Sequence, residues 1–305
     1  MVLSYSLQPT SAIWQWHDLP IRYQTAGTTG DAVILVHGFG ASSDHWRKII
    51  PLLAPTHRVY AIDLLGFGRS AKPTPGEPLP YSFETWGQQL VDFCQEIVKT
   101  PAFLVGNSVG CIAALQAAVM SPPLAQSVVL LNCSLRLLHE RKQASLPWYR
   151  RMSAPLLQGL LGYRPFGHYF FHQLANAKVI RKILLQAYGN PEAVTNDLVD
   201  LLLQPALEPG AADVFLAFTR YSQGPLAEDL LPQLTCPVLI AWGAVDPWEP
   251  IALGRELANF PAVEDFIPLE GVGHCPQDEA PEQVAEILHQ WFSKHQNQGE
   301  ASLGH

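Results

Sequence analysis

The chain predicts an α/β architecture: a mostly parallel, eight-stranded sheet with helices on both faces and a helical lid inserted after the sixth strand. Three observations predict it. Short, almost wholly apolar runs alternate with helix-forming stretches, which is the pattern of parallel strands buried on both faces. That alternation stops after Asn132 and resumes at Pro237, so a helical piece interrupts one sheet. Within the first half of the pattern stands Gly106-Asn107-Ser108-Val109-Gly110, a glycine-flanked serine at a strand-to-helix turn.

The elements follow in order. Ile13 to Trp16 and Ile21 to Ala26, parted by Asp18-Leu19-Pro20, predict an antiparallel pair that opens the sheet. Ala32 to Val36 is an apolar strand, His45 to Ala54 a helix, Arg58 to Asp63 a strand and Phe83 to Val98 a helix. Ala102 to Val105 is the next strand, Val109 to Met120 its helix, and Ser127 to Asn132 the sixth strand. Cys133 to about Leu231 reads as helices broken by Pro and Gly. Strand, helix, strand and helix then return as Pro237 to Gly243, Ile251 to Ala258, Val263 to Leu269 and Pro281 to Phe292. The predicted organisation is one core from 1–132 and 232–294, a lid from 133–231 and a polar, frayed tail from 295–305.

Composition narrows the function classes. A chain of 305 residues, 48% of them hydrophobic, is long enough to bury one large core with a cap. No apolar run approaches the roughly 18 to 20 residues that span a bilayer, and Met1 to Thr10 carries no basic leader or apolar signal segment. A soluble, unprocessed chain is the expectation. Five cysteines without a Cys-x-x-Cys pair sit in apolar segments or beside Pro, which predicts reduced thiols in a cytosol-like compartment. The formal charge of −8 argues against a nucleic-acid partner. Its distribution is uneven. Arg136 to Lys182 holds nine basic residues and one acid, Glu140, a local +8 that leaves −16 to the remainder. The same segment carries Leu146-Pro147-Trp148-Tyr149 and Tyr169-Phe170-Phe171. It reads either as an interfacial element against an anionic membrane or as a lid whose charges face water.

A serine hydroxyl needs a base to take its proton, and the base needs an orienting carboxylate. Ser108 at the turn is the candidate nucleophile. Gly106 and Gly110 are required there because side chains would collide with the flanking strand and helix. Asp246 follows the strand Val238 to Trp242 and so lies at the carboxyl end of the sheet, where α/β sites form. His274, in Gly271-Val272-Gly273-His274-Cys275-Pro276, follows the next strand. The gaps of 138 and 28 residues leave room for the lid inside the first. Singly, each has a plainer reading: an ordinary turn, a turn-opening Asp-Pro, a loop histidine. His37 competes as base, but its place beside Gly38 suggests that it shapes a loop, and Asp63 reads as a structural turn. The backbone amides of Phe39 and Val109 are the candidate oxyanion donors. His168 and His172 share a helical spacing without a metal-binding context, so neither a metal nor a cofactor is expected, and Gly66 and Gly68 form no dinucleotide loop.

With these residues in place the chain resembles the serine α/β-hydrolases, and within them the chlorophyll dephytylase and pheophytinase branch. The resembling stretches are His37-Gly38-Phe39-Gly40-Ala41-Ser42 with His45-Trp46, Val59 to Gly68, Gly106 to Gly110, Leu130-Leu131-Asn132-Cys133, Tyr188-Gly189-Asn190 and Gly271 to Asp278. The resemblance implies cofactor-free release of phytol from chlorophyll or a derivative by Ser108, Asp246 and His274. It implies an apolar ester as substrate and a cytoplasmic protein, peripheral to the thylakoid membrane. No transit peptide is read at Met1 to Thr10, so a cyanobacterial member is the expectation. Small-ester and carbon-carbon bond hydrolases share the fold, as would a non-catalytic binder of apolar ligands. Oligomeric state is open.

Overall fold

The computed structural model describes residues 8–137, 139–143 and 164–296. Its sheet has eight strands: β1 Thr10–Trp16, β2 Leu19–Ala26, β3 Ala32–Val36, β4 Arg58–Ile62, β5 Ala102–Asn107, β6 Ala125–Leu131, β7 Val238–Gly243 and β8 Val263–Leu269. Their spatial order is β1-β2-β4-β3-β5-β6-β7-β8. β1 pairs antiparallel with β2 and β2 antiparallel with β4, while every pairing from β4 to β8 is parallel. β3 and β5 are buried at every residue, as continuous apolar strands covered on both faces must be.

Two apolar clusters flank the sheet. One packs Ile34, Val36 and Leu104 against Phe83, Trp86 and the helix Val109–Met120. The other packs Val33, Leu35 and Phe103 against Trp46, Ile50 and the helix Pro281–His295. Alternate residues of one strand feed opposite layers, because strand side chains alternate faces. Phe103 stacks on Phe292 with ring centres 4.3 Å apart, locking the last helix under the sheet.

Several elements depart from their predicted extents. The stretch predicted as a helix over 45–54 is two short turns, Ser43–Trp46 and Ile50–Leu53, the second restarting at Pro51. The helix beginning at Phe83 changes at Cys94 into a wider turn through Val98 and stops at Lys99, whose φ is +63°. The last helix continues beyond Phe292 to His295, whose ring lies 4.1 Å from that of Trp291 and is buried, so His295, the first residue of the predicted tail, belongs to the helix.

The chain leaves the sheet after β6 and returns at β7. Between them lie the helices Glu140–Gln143, Arg164–Leu174, Ala177–Ala187, Asn196–Ala206 and Ala211–Arg220, with no strand among the described residues. The basic segment is partly consumed by packing. Arg136 donates to the carbonyls of Tyr221, Gln223 and Pro225 and lies over the rings of Phe83 and Tyr221. Arg141 pairs with Asp229 and Lys142 with Glu228. Lys178 and Lys182 are exposed. Arg150, Arg151 and Leu146 to Tyr149 lie outside the described residues, as does the tail from 297. No single described helix is long and apolar enough to cross a membrane. All five cysteines are free thiols.

Candidate active site

The turn between β5 and its following helix holds Ser108 at φ +56°, ψ −121°, a left-handed conformation that a non-glycine residue adopts only when its surroundings enforce it. The enforcement is visible. Ser108 N–H donates to Leu131 O of β6 at 3.0 Å, and its carbonyl accepts from Ser134 N–H at 3.1 Å. A side-chain carbon on Gly106 would stand 2.6 Å from the main chain of Cys111, and one on Gly110 would stand 2.4 Å from Val36 O. Both glycines are therefore steric necessities, and the hydroxyl is presented at the sheet's carboxyl edge.

Asp246 follows β7 and His274 follows β8. The ring Nδ1–H of His274 donates to Asp246 Oδ2 at 2.7 Å. The same carboxylate accepts from Asn132 Nδ2 at 2.7 Å and from the backbone amides of Trp248 and Glu249 at 2.8 and 3.1 Å. Burial would raise this carboxyl, but the donors, His274 foremost, outweigh it and hold it below the ordinary aspartate value. A donor at Nδ1 fixes the tautomer and leaves the lone pair on Nε2. The backbone of His274 is also tied: its N–H donates to Ala187 O at 2.8 Å, and its carbonyl accepts from Asn107 Nδ2 at 3.1 Å. The residue before the serine thus holds the histidine loop directly.

Ser108 and His274 line one cavity of about 380 Å³. Among the described residues His45, Asn107 and Glu249 are its other polar side chains, and Phe39, Phe215, Trp248 and lid residues such as Ile180, Leu184 and Leu202 supply most of the apolar wall. Gly38 packs so closely that an added carbon would lie 3.1 Å from Ser108 Cβ. Phe39 is held by stacking on Phe218, 4.6 Å away, and Val109 opens the helix after the serine. His37 faces the loop: its Nδ1 donates to Gly38 O at 2.7 Å and its Nε2 accepts from Leu64 N–H at 3.1 Å. Full burial lowers its basicity, so it is a neutral loop anchor. Asp63 accepts from the amides of Ser43 and Arg69 at 2.6 and 2.8 Å and closes a turn away from the serine. His168 Nε2–H donates to Asp213 Oδ1 at 2.8 Å within the lid. No cluster among the described residues has the makings of a metal site.

Three supporting groups have roles that sequence reasoning does not assign. Asn132, at φ +46°, holds Asp246 through its amide nitrogen and Gly243 N–H through its oxygen. Its signals in the chain are a polar residue closing an apolar strand and a place in the resembling stretch Leu130 to Cys133. Glu279 accepts from Gly189 and Asn190 of the lid at 2.7 and 3.2 Å, and from Gly273 and Cys275 beside the histidine at 3.1 and 3.3 Å. Tyr188 bridges His45 and Asp278, accepting from the former and donating to the latter, both at 3.0 Å. The Tyr188-Gly189-Asn190 stretch is thereby the seam between lid and catalytic loop.

Residues 33–287 match the model of the alpha/beta hydrolase family. The chloroplastic pheophytinase of Arabidopsis thaliana is 25% identical over 318 residues, covering 92% of this chain and 65% of that longer protein. The pimeloyl-[acyl-carrier protein] methyl ester esterase of Aliivibrio salmonicida is 27% identical over 279 residues, covering 89% and 95% of the two chains. Among solved structures, the epoxide hydrolase CorEH superimposes with a TM-score of 0.77 at 20% identity, covering 94% and 99% of the two chains.

Proposed function

This chain belongs to the alpha/beta hydrolase family, and on that premise we propose that it is a serine hydrolase of carboxylic esters whose substrate is the phytyl ester of chlorophyll or pheophytin. One observation carries the reading. A serine in a strained turn and a histidine already bonded to a buried carboxylate open onto the same largely apolar cavity.

In this reading Ser108 Oγ attacks the ester carbonyl while His274 Nε2 takes its proton. Asp246, with its four donors, keeps the ring oriented and stabilises the imidazolium. The oxyanion is met by the backbone N–H groups of Phe39 and Val109, the latter at a helix N-terminus, where partial positive charge favours an anion. His274 then gives its proton to the departing alkoxide, and water repeats the sequence on the acyl-enzyme. The apolar lid wall of Ile180, Leu184 and Leu202 suits an isoprenoid chain, since each buried methylene contributes about 0.8 kcal/mol. The pheophytinase likeness supports the pigment, and the methyl ester esterase likeness supports the bond.

Chromatography of phytol release decides between substrates: wild type should cleave chlorophyll a or pheophytin a faster than short acyl esters. Indifference to both pigments rejects the dephytylase reading while leaving an esterase. Membrane contact belongs to the same reading in narrower form, through exposed Lys178 and Lys182 beside exposed Ile183 and Leu185 on one lid helix. Salt-sensitive co-sedimentation with anionic vesicles is the expected result, and salt-independent or absent binding contradicts it.

A further inference from the structure

The side chain of Glu249 has no part in the steps above, where only its backbone N–H serves Asp246, yet the residue lies on the wall of the cavity that Ser108 and His274 share. It is 9% exposed, and Ser134 Oγ donates to its Oε1 at 3.1 Å. Among the described residues of that wall there is no lysine or arginine. His45 cannot supply positive charge, because burial lowers its basicity to about 4. His274 is already bonded to Asp246. Lys72 lines an adjoining pocket and is tied to Glu208 and to Gly68 O. Among the described residues, then, an anion entering this space meets a carboxylate and no lysine or arginine.

We propose that Glu249 is the charge filter of the cavity: it excludes substrates that bring an anion inside and hastens the departure of the acid that ester cleavage leaves behind. The second effect follows from the chemistry, and rests on the ester reading. Hydrolysis breaks the acyl C–O bond, the alcohol leaves with one proton, and the acid ionises to a carboxylate as His274 is left neutral and the last proton goes to solvent. Substrate and alcohol are neutral, so the filter bears on one product alone. Two like charges about 8 Å apart at an effective dielectric of about 20 repel enough to weaken binding roughly 30-fold. Burial pushes the Glu249 carboxyl up to about 7. At pH about 8.5 it is therefore mostly ionised.

The test uses binding, so that it stands apart from turnover. Decanoate, decanamide and decylammonium are titrated calorimetrically at pH about 8.5 into wild type and Glu249→Gln. Decanoate should bind the variant about 10-fold or more tighter, decanamide should change less than about 3-fold, and decylammonium should weaken about 10-fold. Unchanged decanoate affinity overturns the proposal. Should the variant not fold, the order in wild type decides: decylammonium tighter than decanoate upholds the filter, and the reverse order removes it. Absence of any ester turnover would sink the hydrolase reading while leaving these affinities to judge Glu249 alone.

Discussion

Glu279→Gln separates the seam between lid and histidine from the chemistry itself. The carboxylate receives four backbone N–H groups, two from Gly189 and Asn190 and two from Gly273 and Cys275. An amide keeps one acceptor oxygen and presents its NH2 to the other pair, leaving at least two donors opposed. Hydrogen bonds to a charged acceptor contribute about 1.5 to 3 kcal/mol each when buried. Glu279 is half-buried, and burial raises its carboxyl in spite of the backbone donors, so the ionic component is already discounted. About 2 kcal/mol of lost stability is the working figure, a fall in Tm of about 3 °C for a domain of this size. The activity effect should be larger in proportion. A displacement of about 1 Å in a catalytic group costs about 100-fold, so kcat should fall about 10- to 100-fold with KM changed far less. Calorimetry and steady-state kinetics on the same preparation give both numbers. A variant with wild-type Tm and kcat would show that the clasp does not hold His274, and the coupling argument would fail.

The remaining predictions concern the turn and the buried acid. Gly110→Ala places a carbon 2.4 Å from Val36 O and 2.5 Å from His37 O, both main-chain atoms that cannot rotate away. It should lower stability by about 3 kcal/mol or more, read from the denaturant midpoint, and an unshifted midpoint contradicts the packing described. Glu249 sits at about 7 against an ordinary 4.5, so the folded state binds its proton more tightly than the unfolded chain. Wild-type stability from this group therefore increases as pH falls from above 7 toward 4.5, and the full penalty of about 3 kcal/mol applies on the alkaline side. Glu249→Gln should accordingly be more stable than wild type at pH about 8.5 and lose that advantage by pH about 5; a pH-independent difference would remove the premise.

Much of this architecture is written locally. β3 and β5 are apolar without interruption and could only be strands covered on both sides, and the glycine spacing around Ser108 announces its turn. Asp246 and His274 were legible because each closes a strand on the edge where the serine stands. The supporting shell was not. Asn132 and Glu279 act through main-chain partners brought close only by the fold, and no spacing in the chain marks them. The basic run misleads for the same reason. Arg136 reads as surface charge, yet three carbonyls and two rings receive it where the lid meets the core. Pro51 and the turn after Cys94 break helices whose apolar periodicity continues past them.

The central claim is that Ser108 is a nucleophile made reactive by His274. A fluorophosphonate reagent reports this without knowledge of the substrate, because it forms a stable covalent bond only with an activated serine. Intact-mass and peptide analysis should find one adduct, on Ser108, formed in wild type and suppressed at least about 100-fold in His274→Ala. Labelling at another residue, or equal labelling with His274 removed, would contradict the account.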